Sequence, residues 1–371
     1  MPHVPPKSFT VIPTERQIAS IRFSPDGKFL FAAGRDGKIH RWDFSQPQPA
    51  GVEAATPSPK DKQPPLPIIP ELPPLSGHDG WVSQIAFHPQ SPHLYSADTW
   101  GRLIGWSLAG ETPQPVWNVP AAHAGWIRQI ALSADGETLA TCGLDKAIRL
   151  WSTAEGKLWK EFAGQSEDVY SLAFHPDGKS LVSGDLKGIV QQWDLAEGQV
   201  VRQFDASLLY LLSQIQDVGG VRVLAFDTDG QTLAAAGAKP ASGGFVESLP
   251  HVKLFKWSDG TEIQTLNIGE KTEGFVHELA YHPEGYWIGV CSGQPGRGRY
   301  FFHRTGEPAP FFTGDQQMPN CHSVALHPSG ERLAVISNAG TFGQQKSKAR
   351  EGIYPGNHSP IHVFELPQST A

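Results

Sequence analysis

The residues best suited to chemistry in this 371-residue chain are its 15 histidines, its three cysteines and one glycine-rich run, 293–298 (GQPGRG). Nucleophilic catalysis needs a Ser or Cys beside an activating base, and metal hydrolysis needs ligands at a fixed spacing. The chain contains no Gly-x-Ser-x-Gly, no His-Glu-x-x-His and no Cys-x-x-Cys. Cys142, Cys291 and Cys321 have no metal-ligand spacing, and the first two fall in predicted strands, where a free thiol behaves as a small hydrophobe. Reduced thiols are expected. His88, His175, His282 and His327 each precede a proline in a turn, one per repeat, which separates them too far to share a metal. The glycine-rich run lacks the following helix and the Lys-Ser/Thr pair of a phosphate loop. No catalytic residue, metal or cofactor is expected, and the chemistry to look for is recognition.

The elements that would carry a recognition surface are short strands. Residues 121–163 hold one complete unit, with strands predicted at 126–132, 138–142, 147–151 and 157–162 and tight turns at Ser-Ala-Asp-Gly136, 144–146 and 154–156. The first of these turns recurs seven times: Phe23-Ser-Pro-Asp-Gly27, Phe87-His-Pro-Gln-Ser91, Leu132-Ser-Ala-Asp-Gly136, Phe174-His-Pro-Asp-Gly178, Phe226-Asp-Thr-Asp-Gly230, Tyr281-His-Pro-Glu-Gly285 and Leu326-His-Pro-Ser-Gly330. Their spacings are 64, 45, 42, 52, 55 and 45 residues, a period of about 42–45 interrupted by insertions.

The unit resembles a WD-repeat blade, with Ala122-His123 for the family's Gly-His, Asp145 in the second turn and Trp151-Ser152 for the closing Trp-Asp. The resemblance implies an all-β fold, a seven-bladed β-propeller of four-stranded antiparallel blades. It also implies a buried structural tetrad, His123, Thr141, Asp145 and Trp151, whose members must satisfy one another or cost about 1–3 kcal/mol each when orphaned. By the same match Trp100 replaces the turn Asp of blade 2, and Gln165 and Lys187 replace the His and Asp of blade 4. Trp257 is what remains in blade 5, and blades 6 and 7 have lost the Trp. Blade 7 lacks an outer strand after residue 366, and residues 8–12 (SFTVI) precede blade 1 without a mate, so the N-terminal strand is expected to close the ring there and remove an exposed edge. One propeller over 8–366, with tails at 1–7 and 367–371, is expected.

A net charge of −7 does not suit nucleic acid or an anionic membrane as partner. No run of about 18 apolar residues occurs, and a cytoplasmic protein, a monomer or a subunit of a complex, is expected. Residues 45–66 are a Pro-, Ala- and Ser-rich excursion before an outer strand near Ile68.

In such a blade the a–b and c–d turns lie at one edge, and the b–c turns and d–a links at the other. Insertions at 205–219 (d–a), 238–250, 293–298 and 339–359 (b–c) therefore share one face around blades 5 to 7. Lys239, Arg297, Arg299, Lys346, Lys348 and Arg350 make that rim basic against Glu247 and Glu351. The apolar run 208–212, with Leu208 and Tyr210, either anchors a partner or packs over the central channel. As a family, WD-repeat proteins scaffold complexes, so the resemblance implies a protein-interaction platform, with this rim binding a protein partner of acidic surface or an acidic peptide. The rival reading is a propeller enzyme or small-ligand binder, lactonase-like or sugar-binding, with His251, His358 and Asp217 near the channel mouth. A third reading makes the 45–66 loop itself the ligand of a groove elsewhere.

Overall fold

In the computed structural model, the described residues are 5–48, 66–110, 112–162, 166–213, 216–240, 248–271, 273–293, 298–314, 318–338 and 358–367. They form seven four-stranded antiparallel sheets arranged as a propeller. Counting strands a to d outward, blade 1 is Ile18–Phe23, Phe29–Gly34, Lys38–Asp43 and Glu71–Ser76, and blade 2 is Val82–Phe87, His93–Asp98, Leu103–Ser107 and Gln114–Val119. Blade 3 is Ile127–Leu132, Thr138–Gly143, Ile148–Ser152 and Leu158–Phe162, and blade 4 is Val169–Phe174, Ser180–Asp185, Ile189–Asp194 and Val200–Asp205. Blade 5 is Val223–Phe226, Thr232–Pro240, Ser248–Lys256 and Glu262–Asn267, and blade 6 is Phe275–His282, Tyr286–Ser292, Gly298–His303 and Phe312–Gly314. Blade 7 takes Ser323–Leu326, Arg332–Ile336 and Ile361–Glu365 from the end of the chain and Lys7–Ile12 from its beginning. Ile12 lies opposite Ile361 and Lys7 opposite Glu365, so the ring is closed by strand pairing.

The apolar residues sort into seven clusters, one at each junction between neighbouring blades. Phe31, Leu75, Ile85 and Trp106 fill the junction of blades 1 and 2, for example, and Ile12, Ile18, Ile21, Ile361 and Val363 fill that of blades 7 and 1. Both faces of every blade are therefore buried, which is why the b strands are buried almost end to end (Phe29–Gly34, FLFAAG, in five of six residues) rather than on alternate residues. The outer strands are different. Val116, Leu158, Trp159, Val200, Val201 and Ile263 stand exposed along them.

Three expectations need correction. The outer strand of blade 1 begins at Glu71, not near Ile68. Ile68 instead forms an isolated bridge with Gln48 across the base of the excursion, and the strand carries Pro73 and Pro74, which an edge tolerates because one side needs no donor. Residues 238–250 are not simply an inserted loop: strands b and c of blade 5 run nine residues each and pair as far as Pro240 opposite Ser248. Residues 205–219 form a 3-10 turn (Ser207–Leu209) and a hairpin (Tyr210–Ser213 with Gln216–Gly219), since two short β-prone runs meet there with enough chain to turn.

The His-Pro turns have a structural use. His175 Nε2 donates to the Gly230 carbonyl (3.0 Å), His282 to Gly330 (2.9 Å) and His327 to Gly27 (3.0 Å), each reaching the a–b turn of the following blade. Nδ1 of each ring accepts a backbone N–H of its own turn, which fixes the tautomer. Gly27 adopts φ +71°, and a methyl group there would collide with the His327 ring, so glycine is required twice over. In blades 1 and 3 a Ser replaces the His and bonds within its own turn, Ser24 to Asp26 (2.6 Å) and Ser133 to Asp135 (2.5 Å).

Candidate functional site

The corner between the d–a link and the b–c turn of each blade sets the shape of the loop-bearing face. In blade 3 the Trp151 indole donates to Thr141 Oγ1 (2.9 Å), the Thr141 hydroxyl to His123 Nε2 (2.7 Å) and His123 Nδ1 to Asp145 (2.8 Å). Burial pulls the Asp145 carboxyl upward, but hydrogen bonds from His123 and Arg149 outweigh it and hold the group well below the usual carboxylate range. The Thr141 hydroxyl is wholly buried and closed to any substrate, so the effect of the array is to fix the link and the turn.

Blade 2 corrects the expectation of a broken tetrad. His78 bonds Asp98 (2.9 Å) and Ser96 (2.6 Å), and Trp106 donates to Ser96 (2.8 Å). The acid stands two residues before Trp100, at the end of strand b, and reaches the same histidine nitrogen. Blade 4 places Asp185 at that position with Trp193 donating to Ser183 (2.8 Å), so Lys187 does not stand for a lost acid. Gln165 lies outside the described residues. Asp98, with its His, is held below the ordinary carboxylate value against the pull of burial, whereas burial pushes Asp185 up.

The residues expected to bind a partner are divided by the fold. Lys239, Leu208 and Tyr210 line one surface depression with Leu211, Lys253 and Asp205. The hairpin that carries Tyr210 lies against strand Thr232–Pro240, with Leu209 buried between blades 4 and 5 and Leu212 62% exposed, so the run neither covers the channel nor sinks into it. Tyr210 donates to Asp217 (2.6 Å), which ties down one of the rival reading's residues. Arg299 is bound within blade 6 by the buried Glu273, at 2.6 and 2.7 Å. Arg297, Lys346, Lys348 and Arg350 lie outside the described residues.

At the centre of the same face opens a cavity of about 300 Å³, the mouth of the channel. Its lining includes Arg35, Trp81, Trp126, Arg128, Tyr170, Arg222, His277 and His322, from the first residues of the a strands and the adjoining links and turns, and among the described residues contains no Asp or Glu. His251, His358 and Asp217 do not line it. Each arginine rests on an aromatic ring: Arg35 on Trp81 at 5.2 Å, Arg128 on Trp126 at 4.0 Å and Tyr170 at 5.1 Å, Arg222 on Tyr170 at 4.0 Å and Phe275 at 5.2 Å. His277, reachable by solvent yet ringed by protein, is lowered to about 4 by desolvation and by the neighbouring His322 and Arg222. Further down the channel, Arg22 pairs with Glu278 at 2.6 Å and the charge is compensated. A sequence scan for clustered basic runs misses this site because its arginines are isolated in the chain. The signal that was present is an Arg one to three residues from the start of an a strand, as at Arg128 and Arg222.

Among the described residues no helix is long and apolar enough to cross a membrane. Comparison with known proteins places WD40 repeats (WD domain, G-beta repeat) at residues 8–43, 71–107, 114–152 and 156–194, the first four blades. The chain is 29% identical over 152 residues to Protein HIR1 of Kluyveromyces lactis, covering 38% of this chain and 17% of that protein. It is 33% identical over 91 residues to the small ribosomal subunit protein RACK1 of Saccharomyces cerevisiae, 23% of this chain and 28% of that one. To the Protein LST8 homolog of Drosophila melanogaster it is 24% identical over 179 residues, 40% and 55% respectively. The chain thus spans about half or less of the length of the curated relatives it matches. The chain is thus a seven-bladed β-propeller of four-stranded blades in a closed ring, with WD40 repeats matched from residue 8 to residue 194.

Proposed function

We propose that this protein is a non-catalytic interaction platform, 8–366 acting as one propeller, whose protein partner seats on the face of the b–c turns and d–a links. The observation that carries this reading is the exposure of large apolar side chains on that face, Trp81 (50%), Trp100 (68%) and Leu212 (62%), beside the arginine-lined channel mouth. Exposed aromatics next to arginine are the composition of binding hot spots. A relative named as a small ribosomal subunit protein is in keeping with membership of an assembly. The depression of Lys239, Leu208 and Tyr210 extends the surface outward over blade 5, and Arg297, Lys346, Lys348 and Arg350 add positive charge to the same rim in the sequence, which favours an acidic partner. Three buried, unpaired thiols suit the reducing cytoplasm.

The test is crosslinking and affinity capture from the native lysate, comparing wild type with Trp100→Ala/Leu212→Ser and with a variant whose 341–355 segment is replaced by Gly-Ser. A defined partner captured by wild type and lost or weakened in either variant supports the reading. A partner set indifferent to both sinks this face.

A further inference from the structure

We propose, building on the platform reading, that the channel mouth receives an extended acidic segment of the partner protein, its carboxylates paired with Arg35, Arg128 and Arg222. The protein carries a net charge of −7, yet among the described residues this cavity is lined by three arginines and two histidines with no carboxylate. Among the described residues no Asp or Glu oxygen comes within 4.0 Å of any of the three guanidinium groups; six other arginines have such a partner, and Arg41, Arg202 and Arg332 do not. The Nε atoms of Arg128 and Arg222 are buried without an acceptor, leaving hydrogen-bonding capacity unused. Burial depresses the pKa of all three arginines, and for Arg128 it outweighs the opposing pull of Tyr170 and Asp168.

The positions of the groups narrow the class of ligand. Planar guanidinium forks held flat against rings are preorganised for carboxylate oxygens, and little side-chain entropy remains to be lost on binding. Arg128 and Arg222 share the Tyr170 ring while Arg35, from blade 1, stacks on Trp81, so the charges form a pair and a separate third group, which suits several anionic groups along a chain better than one compact anion. Trp81 and Trp100 beside them offer apolar surface to the side chains between those acids. Below the mouth the Glu278–Arg22 pair compensates the charge, so the attraction is confined to the rim of the channel.

The experiment is fluorescence anisotropy with the whole protein and a dye-labelled twelve-residue peptide alternating Glu and Leu, at low and moderate salt. Saturable binding is expected, weakening as salt rises, falling at least tenfold in Arg128→Gln/Arg222→Gln and unchanged in Lys239→Ala. Should the double variant fail to fold, Arg35→Gln, at the edge of the mouth, is expected to weaken binding several-fold. Equal affinity in natively folded charge variants, or no saturable binding at low salt, overturns the proposal. So does tight binding of inositol hexakisphosphate in the absence of peptide binding, which would assign the mouth to a small polyanion. A captured partner that depends on Trp100 while the peptide fails leaves the platform standing without its acidic segment. Peptide binding with no captured partner has the opposite meaning.

Discussion

Asp98, Asp145 and Asp185 occupy comparable corners of three blades and should respond differently to neutralisation. Asp98→Asn and Asp145→Asn remove an ionised acceptor from a buried histidine, and each is expected to destabilise by about 1–3 kcal/mol, read as a lowered urea midpoint. Asp185 has no described histidine and burial raises its pKa, so its charge at neutral pH is a cost; Asp185→Asn should leave stability unchanged or higher. The contribution of Asp145, whose folded pKa is depressed, is complete above the ordinary carboxylate value and drains away as pH falls below it. His251, fully buried, is lowered to about 4, by desolvation first and then by Lys239 and Lys253. Its neutral state contributes fully above the ordinary histidine value of about 6.5 and less as pH falls toward 4. His251→Leu should flatten the stability profile across that window. The blade 3 corner was legible because each residue sits where the repeat puts it. Asp98 was not, because a carboxylate two residues early in sequence is still adjacent to the same imidazole once strand b ends, and position matching does not register where an atom arrives.

The Lys7–Ile12 strand and the His327–Gly27 bond both join blade 7 to the beginning of the chain. Deleting residues 1–13 should yield insoluble protein, because strand Ile361–Glu365 becomes an open edge and Ile12 leaves the blade 7–1 core. His327→Ala should remain soluble but lose about 1 kcal/mol, measured as a lower melting temperature. The strands themselves were legible from alternation and turn chemistry, and the unmatched ends pointed to closure. The long hairpin of blade 5 was hidden because Pro240 and Pro250, flanking a segment that begins Ala-Ser-Gly-Gly, read as loop, although both prolines sit in the paired strands. The hairpin at Tyr210–Gly219 was hidden by its apolar sequence, which reads equally well as an anchor or as a plug. What decides is strand Thr232–Pro240, against which the hairpin packs, a tertiary neighbour that local sequence does not reveal.

Seven cores between blades, rather than one central core, make the molecule radial: polar or charged side chains at the channel, apolar layers at mid-radius, and exposed outer strands. Hydrogen exchange should follow that order, with the b-strand amides of Thr138–Gly143 and Ser180–Asp185 slowest and those of Gln114–Val119 and Leu158–Phe162 fastest among strands. Equal protection of inner and outer strands would contradict this picture. The strap that completes blade 7 also has a consequence in time. Residues 7–12 leave the ribosome about 350 residues ahead of their mate, 361–365, so at about 5–20 residues per second the first strand waits roughly 20–70 s for its partner. Throughout that interval the apolar flank of blade 1 is uncovered, and the nascent propeller is at its most dependent on chaperones before its final strand is made.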